Sequence, residues 1–427
     1  MKTIGIIAEF NPFHNGHAYL INEAKKRTNA DRVVIIMSGN FVQRGEPAFI
    51  DKFSRTAAAL ESGADLVIEL PTVYAISSAS YFATGAIKML DKLNVIDYLC
   101  FGCETDDLKL LTLISDIIIA EDDCYSSTLQ SYLKNGFSFA KSRENAILKS
   151  ISLRGLNIPA SKIASVLNSP NAILGIEYIT ALKKCGSNIV PVPIKRSDAG
   201  YHDQSFRNEY ASASAIRNLY AKPSVLSFNN IRETLLDVIP EKFVAALEDD
   251  YKIFYPITAD DFSPLIGYEL VRDRYYDLEL DTLFDSTTDL SNRIRNYADS
   301  FTKTTSFVNN CNSPTYTSSR ISRILFYLLF EYRKKHFEIF KNDDYVYYYR
   351  ILGFNNSHAE LLTEIKNHSS FPLLSKITKV DEILSINGKK MFAINLYADE
   401  LYRIVAETKY GYNLPVEEQH EIIIVEH

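Results

Sequence analysis

The chain has 427 residues, 46% hydrophobic and 23% charged, which exceeds one ordinary core and predicts two or three domains. Its formal net charge of −7 excludes a generally basic, non-specific nucleic-acid binder, though not a local basic face. The longest apolar runs, 66–70 and 324–330, are far too short to cross a bilayer, so no membrane partner is expected.

Met1-Lys2-Thr3 leads into strand-like sequence with no signal-peptide pattern. Five scattered cysteines fit a reducing compartment. The expectation is a cytoplasmic protein. Residues 4–8 read as a buried strand, 16–28 as a helix with Ala18, Leu20, Ile21 and Ala24 inward, and 32–37 ("RVVIIM") as the next strand. A loop, "SGNFVQRGEPA", precedes a helix at 52–61. A third strand follows at 64–70, closed by Pro71, then a helix at 77–90 and a fourth strand at 96–101. Continuous apolar strands alternating with helices indicate an α/β protein with a doubly wound parallel sheet, covered on both faces. Such sheets bind ligands at the carboxyl ends of their strands, where strand order reverses.

Residues 106–186 read as largely helical, with 169–186 opened by Ser-Pro and closed by Gly186. A fifth strand follows at 188–196 and a short helix at 212–220. Beyond about residue 220 the texture changes, and a boundary is placed there. An acid-rich helical stretch covers 233–289. From 293 to 350 there are ten Lys/Arg against five Asp/Glu. The end, 345–427, reads as tyrosine-rich helix with a short strand at 422–425. The expected division is thus 1–220, an α/β domain, and 221–427, a mostly helical domain.

The first strand ends in Glu9-Phe10-Asn11-Pro12-Phe13, and His14-Asn15-Gly16-His17 opens the helix. A helix N-terminus carries unpaired N–H groups and partial positive charge, which attract anions. Gly16 lets a flat ring or phosphate approach the backbone, and Pro12 fixes the bend. Two histidines there can donate to phosphate oxygens and stabilise charge growing on a leaving pyrophosphate. The plainer reading is a turn with one histidine capping the helix. Cys100 and Cys103 form a lone C-x-x-C; with no second ligand pair at suitable spacing they read as structural cysteines, and no metal is assigned.

The H-x-G-H stretch resembles the signature of the nucleotidylyltransferase superfamily. "SASAIR" is similar to its second motif, which would place Ser212, Ser214 and Arg217 on departing phosphates; alone, a Ser cap before an Arg-bearing helix is common. "NPFHNGH", "SGNFVQRGEPA", "DKFSRTAAAL", "GADLVIELP", "FGCE", "SPNAILGIEYI", "IKRSDAGYHD" and "YRILGFN", in this order, resemble the bacterial tRNA(Met) cytidine acetate ligase family. That resemblance covers most of the chain. It implies a two-step ligase that uses ATP and acetate to make N4-acetylcytidine at the wobble position of elongator tRNA(Met), with Mg2+ admissible beside ATP and no obligate protein partner. It places the ATP-binding segment on Ile7, Ala8, Glu9, Phe10, Asn11, Pro12, Phe13, His14, Asn15, Gly16, His17, Ala18, Tyr19 and Leu20, with Gly102, Asn171 and Arg196. His14 and His17 are the expected catalytic residues, and Ser214 and Arg217 the expected phosphate contacts. Asn171 also reads as an ordinary cap and Arg196 as a surface charge. Cys103 stands where the family has serine, and the last thirty residues match poorly.

Two cationic stretches remain. Gln43, Arg44, Lys52 and Arg55 either face ATP or RNA or belong to a solvated loop. Arg320, Arg323, Lys334 and Lys335, with Arg333, Tyr316, Tyr327 and Tyr332, either bind RNA or form the solvated face of an amphipathic helix. The alternatives to a ligase are a small-molecule adenylyltransferase, which the extra two hundred or so residues disfavour, and a non-catalytic RNA-binding protein with a relict ATP site, which the retained histidines and arginines disfavour.

Overall fold

The computed structural model describes residues 1–196, 211–222 and 227–426. The last part of "IKRSDAGYHD", from 197 onward, lies outside them. The first half runs β1 (Thr3–Ala8), α1 (Asn15–Thr28), β2 (Arg32–Ser38), β3 (Phe41–Val42), β4 (Glu46–Pro47), α2 (Lys52–Glu61), β5 (Leu66–Leu70), α3 (Thr72–Ala75), α4 (Ala79–Lys92) and β6 (Tyr98–Cys103). A helical excursion follows: α5 (Leu108–Ala120), α6 (Asp123–Lys134), α7 (Phe139–Leu153), α8 (Ala160–Leu167) and α9 (Pro170–Cys185). The chain returns through β7 (Val190–Lys195) and α10 (Ala213–Tyr220).

The second half holds α11 (Arg232–Leu236), α12 (Glu241–Asp250), α13 (Ser263–Tyr276), α14 (Thr288–Ala298), α15 (Thr304–Cys311), α16 (Ser318–Leu329) and α17 (Lys334–Asn342). Then come β8 (Tyr349–Asn355), α18 (Glu360–His368), β9 (Leu373–Leu374), α19 (Val380–Ile383), α20 (Ile386–Tyr410) and β10 (Ile423–Val425).

The main sheet has the order β10-β8-β5-β2-β1-β6-β7, with β9 beside β8. Its five central and right-hand strands, β5-β2-β1-β6-β7, are parallel. The chain winds outward from β1 to β5, then returns to β6 on the other side of β1. Strand order therefore reverses between β1 and β6, the position that opens a crevice at the carboxyl ends. Alternate strand residues enter opposite cores: Val34, Ile36, Leu66 and Ile68 one, and Val33, Ile35, Met37 and Val67 the other. All seven residues of β2 are buried, as a strand covered on both faces requires.

The five main-sheet strands of the first half form the expected parallel, doubly wound sheet; the second half adds β8, antiparallel to β5, so the complete sheet is mixed. One expectation needs correcting. The tyrosine-rich stretch after 345 is not all helix; its end forms β8, pairing Arg350 with Glu69 and Phe354 with Leu66. Aromatic and β-branched residues suit a pleated surface, and the partner strand decides. Residues past 220 thus supply β8, β9 and β10 to the sheet and side chains to both cores.

Candidate active site

A cavity of about 360 Å³ lies over the β1–β6 crevice. Its floor is Ile7 and Ala8 from β1 with Phe101 and Gly102 from β6; Leu174 and Tyr178, four apart on α9, form an apolar wall. His14, His17, Arg196, Ser214 and Arg217 also line it. Residues 14–17, 196 and 214–217 are distant in sequence, and the fold brings them together.

The two histidines hold each other. His14 is the N-cap of α1: its Nδ1 accepts the Gly16 N–H at 3.1 Å, while the His17 Nδ1 accepts the His14 N–H at 3.3 Å. Their rings stack with centroids 3.8 Å apart. An Nδ1 that accepts a backbone N–H carries no proton, so each neutral ring carries its proton on Nε2. Burial, reinforced by Arg196, lowers the His14 pKa to about 3, and burial with the neighbouring His14 holds His17 well below its ordinary value. Both rings are neutral Nε2–H donors across the physiological range.

The helix end itself offers less than the sequence suggested. The Asn15 N–H donates to the Val238 carbonyl at 2.9 Å, and the His17 N–H to the His14 carbonyl at 2.8 Å. With Gly16 bonded to His14, the first three amides of α1 are occupied. The cap is thus the device that aims the imidazoles. Gly16 does admit a flat ring, that of His14: a Cβ there would lie 2.9 Å from His14 Cε1.

Arg217 donates to the Asn11 carbonyl at 2.7 Å and reaches Ser214 Oγ at 3.4 Å, tying α10 to the turn after β1. Ser212 is an ordinary cap, accepting the Ala215 N–H at 3.1 Å. The Arg196 side chain lies against Gly102, at 3.6 Å from where a Cβ would stand. Burial lowers the Arg196 pKa, offset by Glu104 and Cys103. Asn171 lines the cavity, but its amide donates to Glu104 Oε1 at 2.8 Å. Cys100 and Cys103 are free, buried thiols, pushed up to about 12 and about 11 by burial.

Within 7–20, the cavity is lined by Ile7, Ala8, Glu9, Phe10, Asn11, His14, His17 and Leu20. Pro12, Phe13, Asn15 and Gly16 shape the turn and the helix start instead, and Ala18 and Tyr19 belong to the body of α1; Phe13 is fully buried against Phe10, His17 and Phe243. Glu9 Oε1 accepts the Gln43 N–H at 2.7 Å, and burial raises the Glu9 pKa against the pull of Arg217 and Arg44.

The loop after β2 divides. Gln43 and Arg44 line the cavity, whereas Lys52 and Arg55 are fully buried and face neither ATP nor RNA. Arg55 donates to the carbonyls of Glu9 at 2.6 Å, Ser38 at 3.0 Å and Ile50 at 2.9 Å, bracing the β1 and β2 exits. Sequence reasoning missed Phe82, Phe101, Glu104 and Tyr178; the i, i+4 pair Leu174 and Tyr178 on α9 was the available signal.

The basic stretch of the second half is also spent internally. Arg323 is buried, and its backbone crowds Gly45: a Cβ there would stand 2.5 Å from the Arg323 nitrogen, at a φ of +79°. Arg320 donates to the Asp285 carbonyl at 2.7 Å, Arg333 to Thr282 Oγ1 at 2.6 Å, and Lys334 to the Asp281 carbonyl at 2.6 Å. Tyr327 and Tyr332 are buried. Of the four cations expected to bind RNA, Lys335 alone is exposed with no bonded partner among the described residues.

Among the described residues no three His, Cys, Asp or Glu side chains gather to hold a metal, and no helix is long and apolar enough to cross a membrane. An α/β crevice with a paired H-x-G-H cap and a second Ser-x-x-Arg helix defines a nucleotidyl-transferring enzyme. A family model described as HIGH Nucleotidyl Transferase matches residues 1–414. The tRNA(Met) cytidine acetate ligase of Thermoanaerobacter sp. (strain X514) is 40% identical over 405 residues, 95% of each chain. That of Acetivibrio thermocellus is 37% identical over 407 residues, 94% of each. The crystal structure of Thermotoga maritima TmcAL bound with alpha-thio ATP superposes with a TM-score of 0.89 at 28% identity, covering both chains completely. The chain belongs to the tRNA(Met) cytidine acetate ligase family.

Proposed function

We propose that this protein acetylates N4 of the wobble cytidine of elongator tRNA(Met), using ATP and free acetate in the cytoplasm. An acetate oxygen attacks the α-phosphorus of ATP, the bond to the β-phosphate oxygen breaks, and pyrophosphate leaves. Negative charge grows on the bridging and equatorial oxygens, where the Nε2–H groups of His14 and His17 donate and Arg196 and Arg217 supply positive charge. Acetate is already an anion, so the first step needs no base. The cytidine N4 then attacks the acyl carbon of acetyl-adenylate; the N–C bond forms, the C–O bond to AMP breaks, and the amine loses a proton.

The apolar wall of Leu174 and Tyr178, with Phe101 of the floor, suits an adenine ring. With no group of three His, Cys, Asp or Glu placed to hold a metal among the described residues, Mg2+ would ride on the ATP phosphates. The catalytic half is 1–220, and 221–427 completes the sheet and braces the turn after β1 through Val238. The observation that carries this reading is the reciprocal histidine cap, which leaves two neutral, aimed donors at the strand-order reversal. Incubation with labelled acetate, ATP and tRNA, without coenzyme A, should label the RNA. Labelling only from acetyl-coenzyme A would overturn the reading.

A further inference from the structure

A tRNA substrate needs a cationic surface next to the cavity, and the stretch at 320–335 does not supply one. The fold offers another. Residues 134–168, in α6, α7 and α8, hold six Lys/Arg against a single acid in a chain whose net charge is −7. Lys134, Lys141, Lys149, Arg154 and Lys162 are exposed. Lys134 and Lys149 have no acidic partner among the described residues. Lys162 faces Asp107 at 2.8 Å and Arg154 faces Asp122 at 3.5 Å, solvated pairs that release a cation cheaply, while Lys141, itself exposed, bonds the largely buried Glu144 at 2.8 Å.

Apolar side chains are exposed among these cations. At the α6–α7 turn, Phe137 is 47% and Phe139 58% exposed, and at the other end of α7 Leu153 is 68% exposed. Exposed phenyl rings beside unpaired lysines match what unstacked bases and phosphates require. The unit also abuts the site. Arg143 on α7 binds Glu177 on α9 at 2.7 Å, next to the cavity-lining Tyr178. The chain passes from α8 directly into Pro170 and Asn171, which line the cavity. Helix α7 is about 22 Å long at 1.5 Å per residue, enough to follow a stem while the loop base enters the cavity.

We propose that α6, α7 and α8 form the tRNA-docking surface, with phosphates on Lys134, Lys141, Lys149 and Lys162 and an unstacked base on Phe137 or Phe139. This rests on the ligase reading above, and its test is chosen to fail separately.

The full-length chain with all four lysines changed to Ala is compared with wild type and with Lys334→Ala/Lys335→Ala. tRNA(Met) affinity is measured over a salt series, alongside acetate-dependent ATP–pyrophosphate exchange and thermal melting. The four-lysine variant should bind tRNA at least tenfold more weakly near 0.1 M salt. Its log–log salt slope should shrink by about 0.7–0.9 for each phosphate that is no longer neutralised. Exchange and melting should be unchanged, and Lys334→Ala/Lys335→Ala should bind like wild type. Phe137→Ala/Phe139→Ala should weaken binding severalfold with the salt slope intact, separating stacking from charge. Wild-type affinity and slope in the four-lysine variant would overturn the proposal, as would loss of binding confined to Lys334→Ala/Lys335→Ala. A wild-type protein that binds tRNA through these lysines but neither exchanges pyrophosphate on acetate nor acetylates RNA would sink the ligase reading and leave the docking surface standing.

Discussion

Two buried polar constellations in this molecule are built in opposite ways. The histidine pair at the cavity comes from one tetrapeptide, is neutral, and turns its donors toward open space. The second comes from five elements: Lys52 of α2, Glu69 of β5, Arg350 of β8, Asp399 of α20 and Glu417 of the C-terminal segment. Lys52 Nζ lies 2.8 Å from Glu69, 2.6 Å from Asp399 and 2.7 Å from Glu417, and Arg350 reaches Glu417 at 2.5 Å and Glu69 at 3.3 Å. Lys52 and Asp399 have no exposed side-chain surface at all. This cluster is charged and fastens the second half of the chain to the sheet. Buried polarity alone therefore does not mark a catalytic site. What separates the two is whether the donors end in protein or in a cavity.

That contrast breaks if either cluster does the other's work. The largest effect should come from Lys52→Ala, which leaves three carboxylates facing Arg350 alone. Removing one partner of a buried ion pair costs roughly 3–5 kcal/mol. Denaturant unfolding should show that loss, while exchange activity per folded molecule at low temperature should stay near wild type. A large kinetic defect in stable protein would place Lys52 in the chemistry.

His17→Ala should do the reverse. Losing a donor aimed at developing phosphate charge costs about 2.7–4 kcal/mol of barrier, a 10²–10³-fold drop in acetate-dependent exchange. Its melting temperature should move far less than that of Lys52→Ala. Because both imidazoles stay neutral, the wild-type exchange rate should show no inflection near pH 6.5. An inflection there would mean that a protonated histidine takes part.

The smallest effect concerns protons in the charged cluster, where three carboxylates face two cations. Burial, with Glu417 and Glu69 close by, pushes Asp399 up to about 8 against the pull of Lys52 and Arg350. Burial would also raise Glu417, but Lys52 and Arg350 outweigh it and hold it down to about 2. A carboxyl whose folded pKa exceeds its unfolded value near 3.9 stabilises the fold at low pH, and that contribution is lost as pH rises to about 8. Relative to Asp399→Asn, wild type should therefore lose stability between pH 6 and pH 8, by at most about 1.4 kcal/mol per unit. A pH-independent difference between the two would mean that the proton sits elsewhere in the cluster.

The sequence by itself carried the parts of this protein whose causes are local. An apolar run, an Asn11-Pro12 bend and a capped amphipathic helix sit within twenty residues, so β1, α1 and both histidines were readable, as was Lys52–Glu61 as a helix. The alternation of strands and helices gave the winding of the sheet, and with it the end where the site had to lie. The tertiary structure alone decided the fate of long cationic side chains. A lysine or arginine reads the same whether its stem lies in water or threads into a core. Lys52 meets Asp399 across a sequence separation of 347, Arg323 is closed over by the Gly45 turn, and Lys134 stays in water. β8 escapes a local reading for the same reason: the stretch beginning at Tyr349 becomes a strand because β5 offers it an edge. Local spacing fixes φ, ψ and caps. Partners arriving from hundreds of residues away fix which charges are spent.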